Sequence, residues 1–172
     1  MPQWEETEGP DLAQGDLLTG VLDPIDGEDF PTALSGHPLV SVDEVDGLIA
    51  TQSCDLANAK IQFAILVKAM PIAEFERANP HYSTRKNWNL VIHGGVHALH
   101  LLPAPDNSQS SEGAWVVDFR EVYSLPVPYL QRHATGLGKR GRLCSPYLEH
   151  FSQSFGRFFM RVALPEPMRE FK

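Results

Sequence analysis

The chain has no Lys or Arg before Lys60. Residues 1–59 carry 13 Asp and Glu, a charge of −13, whereas residues 60–172 hold all 14 Lys and Arg against 9 acids, a charge of +5. The net −8 therefore hides two segments of opposite sign. This balance argues against a general nucleic-acid protein and points to internal complementarity or to an acidic surface for a basic partner. Cysteine is scarce too. Cys54 and Cys144 make no disulfide framework, which suits a reduced, cytoplasmic setting. No apolar run reaches 18 residues, so no membrane span is expected. The opening Met1-Pro2-Gln3-Trp4-Glu5-Glu6 is acidic and lacks the apolar stretch of a signal peptide.

What is present is an ordinary globular composition, with 42% hydrophobic and 21% charged residues in 172, enough to bury one core. Residues 1–13 read as a disordered acidic tail, 14–164 as a single β-rich domain and 165–172 as a second tail. Gln14–Leu22 is a strand stopped by Asp23-Pro24, because proline cannot donate to a ladder. A long acidic loop follows over 23–38. Leu39–Val42 is a short strand, and Asp46-Gly47 makes a turn into a buried strand Leu48–Thr51. Leu56–Lys60 is at most one helical turn. Ile61–Met70 is nearly continuous apolar sequence, the mark of a central strand. Pro71 stops it and opens a short helix Ile72–Ala78.

Leu90–His93, Gly94-Gly95 and Val96–Leu102 read as a hairpin on a two-residue turn. Residues 103–113 form a polar loop, Ala114–Leu125 alternates as a strand, and 131–142 reads as a mobile basic loop. The last element is a helix over 145–162. Ser145 caps it, Pro146 takes the first position, and Leu148, Phe151, Phe155, Phe158, Phe159 and Val162 form its apolar stripe. The fold class is α+β, mainly β. The sheet is antiparallel and strongly curved, or an SH3-like barrel, with the C-terminal helix packed on it.

Three constellations carry chemistry. The first is the corner Thr51-Gln52-Ser53-Cys54-Asp55, where a buried strand ends in a thiol beside a carboxylate. With His100 or His97 as base it would make a Cys-His nucleophile, so Cys54, Asp55 and His100 are the catalytic candidates. The competing reading is a small residue at a strand end, with Asp55 closing the turn. The second is His93, His97 and His100. On the hairpin their side chains fall on different faces or rungs roughly 13 Å apart, so no metal site and no cofactor are expected. The third is basic: Arg85 and Lys86 beside Trp88, and Lys139, Arg140 and Arg142 among glycines. Cations with a neighbouring aromatic suit phosphate and base contact, and a solvated loop is the plainer reading.

Gly15-Asp16-Leu17-Leu18, Ile61–Met70 with Pro71-Ile72, Asp118-Phe119-Arg120-Glu121-Val122 and Arg142-Leu143 before the 145–162 helix together resemble the MazF/PemK family of small prokaryotic toxins. The resemblance covers about half the chain in short pieces. It implies an SH3-like barrel, a toxin–antitoxin setting and RNA cleavage. Gln14 stands where the opening basic residue would be, and Gly36-His37-Pro38 where an Arg-Pro pair is common. The resemblance therefore supports a fold more than an activity, since the electrostatic stabilisers are missing.

The primary expectation is a non-catalytic protein-binding or assembly module, docking a protein partner through the acidic 23–46 region, with homo-oligomers allowed. The alternative is a MazF/PemK-like RNA-binding or endoribonuclease protein. A Cys54-dependent hydrolase ranks third.

Overall fold

The computed structural model describes residues 2–22, 44–105 and 113–160. The acidic loop 23–38, the strand Leu39–Val42, most of the acidic 23–46 region, the end of the last helix and the tail 165–172 lie outside the described residues. In chain order the described elements are β1 (Trp4–Thr7), β2 (Leu17–Leu22), β3 (Glu44–Ile49), α1 (Ser53–Ala57), β4 (Phe63–Pro71), α2 (Ile72–Ala78), a 3-10 turn (Pro80–Tyr82), α3 (Arg85–Ile92), β5 (Leu99–Pro103), β6 (Ala114–Pro126), α4 (Val127–Leu137), β7 (Arg140–Leu143) and α5 (Tyr147–Phe159).

Five strands form an antiparallel sheet in the order β2-β3-β4-β6-β5. β4 lies at its centre, as a run apolar on both faces requires. Ala64 and Leu66 face a core with Leu130 and Ala134 of α4. Val67 and Ala69 face the opposite core, closed by Phe151, Phe155 and Phe158 of α5. The period of two thus sorts one strand between two helices on opposite faces. A third cluster, Phe75, Trp88, Val91, Leu99 and Val116, holds α2 and α3 at the β5 end.

The described strands do not close into a barrel. β1 pairs with β7 as a separate two-stranded ribbon, in which Trp4 faces Leu143 and Thr7 faces Arg140. The ribbon is tied to the start of β2 by one bridge between Asp16 and Arg142, and to β5 by the Trp4 indole donating to Pro103 O. This corrects the SH3-like barrel, because a bridge and a side-chain bond do not make the ladder that closure needs. It also corrects the tail over 1–13. Trp4 is buried against Gly141, and Cys144 N donates to Gln3 O.

Other elements differ from the sequence reading for identifiable reasons. Asp46-Gly47 is not a turn but the middle of β3. A Cβ at Gly47 would stand 2.7 Å from Leu66 Cγ and 2.8 Å from Val67 O, so glycine lets β4 approach. The 90–102 hairpin is replaced by α3 and β5. Thr84 caps α3 by accepting from Asn87 N. Gly94, at φ +73°, ends it: Gly94 N donates to Val91 O and Gly95 N to Leu90 O, the paired bonds of a Schellman motif. The basic loop over 131–142 is instead α4, with proline in its first turn, followed by β7. α5 starts at Tyr147, and no side chain caps it.

β6 carries one large irregularity. Val67 faces Val122 and Ala69 faces Val117, so Lys68 stands opposite the four residues from Asp118 to Glu121. Charges fill this bulge. Lys68 pairs with Glu121 at 2.6 Å, and Arg120 pairs with the buried carboxylate of Asp118. A bulge in an interior strand increases the local twist of the sheet.

Candidate functional site

The corner that ends β3 is anchored to its neighbour strand. Ala50 N donates to Ile65 O at 2.9 Å, and Ile65 N donates to Thr51 Oγ1 at 2.7 Å. Ser53 Oγ accepts from Gln14 N at 3.0 Å, which ties α1 to the segment before β2. Cys54 is exposed, and its Sγ lies 3.8 Å from Oδ1 of Asp55. Asp55 reaches Lys60 at 3.9 Å, with both side chains largely solvated.

His100 sits elsewhere, on β5, stacked on Phe119 with ring centroids 6.2 Å apart and tilted against Phe151 at 6.3 Å. Burial lowers its pKa from 6.5 to about 4, with a smaller contribution from His150, so the ring is neutral near pH 7. Among the described residues no hydrogen bond joins His100 to Cys54. A thiolate would be created there by a base or a nearby cation, and the corner presents Asp55 instead. His93 caps α3 and His97 is exposed in the following loop. Among the described residues no three His, Cys, Asp or Glu side chains are placed to hold a metal ion.

The structure disperses the basic candidates. Arg140 is buried. Its Nε donates to Asp16 Oδ2 at 3.1 Å, and its terminal nitrogens donate to Gly9 O and Asp11 O at 2.8 Å. Arg142 shares the same carboxylate, donating to Oδ2 at 3.0 Å and through Nε to Oδ1. Lys139 pairs with Glu6 at 2.7 Å on the surface. These cations of the late segment neutralise carboxylates of the early one, so the charge asymmetry is partly an internal complementarity. Arg85 and Lys86 are exposed in the first turn of α3. Trp88 is buried between Phe75 and Tyr82, with its indole donating to Glu76 at 2.7 Å, which leaves no ring face for a base.

Sequence reading did not find an exposed apolar face on the main sheet. Phe63 on β4 and Val122 on β6 are 50% and 38% exposed, although both strands are interior to the sheet. Phe63 faces Pro126 and Val67 faces Val122, so alternation puts Phe63, Ile65 and Val122 on one face, the face that α5 covers farther along. Phe159 and Met160 are exposed at the end of α5. The signal in the sequence was Phe63 at the ragged start of a strand whose other apolar residues are all needed inside.

No protein-family model matches the chain, and no curated protein matches it.

Proposed function

We propose that this protein is a non-catalytic binding module that docks a protein partner on the sheet face carrying Phe63, Ile65 and Val122. One observation carries this reading. Two interior strands leave apolar side chains in water on the same face, the face on which α5 packs farther along. A monomer gains by covering such a surface, and contiguous exposed apolar patches mark interaction sites. The partner presents an apolar anchor flanked by basic side chains, complementary to a chain of net charge −8.

Two further observations support the reading over its rivals. Three of the six residues expected to touch nucleic acid are engaged with carboxylates, and a fourth, Trp88, is packed away. The candidate thiol has a carboxylate beside it and, among the described residues, no base bonded to it. The MazF/PemK-like RNA reading then rests on Arg85 and Lys86.

The test is site-specific photo-crosslinking in the native host, with a benzophenone side chain at Val122 and, as control, at Leu90 on α3. Covalent capture of one protein from position 122 and not from position 90 supports the docking face. Crosslinks to RNA, to a second copy only, or equally from both positions overturn it.

A further inference from the structure

A pocket of about 360 Å³ opens beside the thiol corner, lined by Gln14, Gln52, Leu148, Glu149, Ser152 and Gln153. We propose that this pocket receives an arginine side chain of the docked partner, an inference that rests on the binding-module reading.

The walls come from two directions. Glu149, Ser152 and Gln153 stand at i, i+3 and i+4 on α5, so they share one helix face. Gln52 precedes α1, and Gln14 precedes β2. Gln14 is more than nine-tenths buried. Its Nε2 donates to Ala50 O at 2.9 Å and approaches Ser152 Oγ at 3.4 Å. Its Oε1 receives no donor among the described residues and is not fully enclosed, so it opens to the pocket with an acceptor to spare. A ligand that donates there takes the place of water on that oxygen.

The chemistry of the lining selects the ligand. Its acceptors are the Glu149 carboxylate, the amide oxygens of Gln14, Gln52 and Gln153, and the Ser152 hydroxyl. Among the described residues the only formal charge in the lining is negative, and no Lys or Arg lines the pocket. Leu148 offers an apolar wall to a flat group. A guanidinium presents five donors in one plane, is always charged and is weakly hydrated, so it exchanges water for amide oxygens at low cost. An ammonium has three donors and holds its water more tightly.

Position supplies the link to the docking face. Ala50 bonds to Ile65, and Gln52 follows two residues later, so the pocket opens beside the Ile65–Phe63 end of β4. An apolar anchor on Phe63 and Val122 would then carry its neighbouring arginine into the acceptor pocket, the anchor-and-arginine arrangement typical of strong interface residues.

The experiment is an NMR titration of the full chain with N-acetyl-L-argininamide, reading the side-chain amide signals of Gln14, Gln52 and Gln153. The expected result is saturable shifts confined to these signals, with a Kd on the order of 1–10 mM for so small a probe. The exposed variant Glu149→Gln should weaken it about twofold to fivefold. N-acetyl-L-lysinamide should bind more weakly, and the neutral citrulline analogue should not saturate. No saturable shift with the arginine probe, or equal binding of the citrulline analogue, overturns the proposal. The crosslink at position 122 reads the sheet face without the pocket. A failed titration beside a successful crosslink therefore removes the arginine site alone, and a failed crosslink removes the docking reading itself.

Discussion

Arg140 Nε donates to Asp16 across 124 positions of sequence, and both side chains are excluded from solvent. The same carboxylate accepts from Arg142 and from Ala13 N, while Arg140 also holds the carbonyls of Gly9 and Asp11. This one cluster fastens the segment before β2 to β7, and with it the β1–β7 ribbon to the main sheet.

Replacing Asp16 by Asn should destabilise the protein by about 3–5 kcal/mol, because Arg140 would remain charged, buried and poorly paired. Urea denaturation measures this. The double variant Asp16→Leu with Arg140→Met should recover part of the loss, since both fully buried charges are gone while Arg142, which is partly exposed, loses its partner. A loss under about 1 kcal/mol in the single variant would show that the cluster does not hold the ribbon.

His100 makes stability depend on pH. Its folded pKa is lowered to about 4 by burial, and the unfolded ring titrates near 6.5, so the unfolded chain binds the proton first. The contribution is whole above about pH 6.5 and is lost progressively as pH falls toward 4. The span corresponds to about 3 kcal/mol. His100→Phe keeps the ring between Phe119 and Phe151 and should flatten the pH 4–6.5 slope in denaturation measured at several pH values. An unchanged slope would mean that the ring is not the titrating group.

Gly47→Ala should cost about 1–3 kcal/mol by crowding Leu66 and Val67 O, both within 3 Å of the added carbon. Gly94→Ala meets nothing within 4 Å and should cost about 1–2 kcal/mol through its φ of +73° alone. Thermal unfolding measures both, and Thr84→Ala, expected to cost about 1 kcal/mol, checks the assignment of α3 over a hairpin. A hairpin would leave Thr84→Ala without effect.

The sequence was most legible where one residue both stops and starts an element. Pro71 ends β4 and precedes α2, and the helix over Ile72–Ala78 stands as read. The α5 stripe was equally plain. It was least legible where one signal serves two structures. Gly94-Gly95 suits a hairpin turn and a Schellman cap alike, and Leu90-Val91-Ile92 is too short for periodicity to choose between them. Thr84 and Asn87, the cap and its donor, carried the answer. Pro126 and Pro128 suit the end of a strand, yet a first helical turn accepts proline. The pairing of Asp16 with Arg140 and Arg142 could not be read at all, since it depends on a register set by the whole sheet. The exposure of Phe63 shows only once both helices are docked and its strand end is left uncovered.

The central claim is tested most directly by affinity purification of the tagged protein from its native host after nuclease treatment, comparing wild type, Phe63→Asp and Leu90→Asp. Both positions are half exposed, so both variants should fold, which circular dichroism checks. The account predicts one stoichiometric protein partner that survives nuclease, is kept by Leu90→Asp and is lost at least tenfold by Phe63→Asp, a change of about 1.4 kcal/mol. Equal recovery by Phe63→Asp, or a bound fraction that vanishes with nuclease, would contradict it.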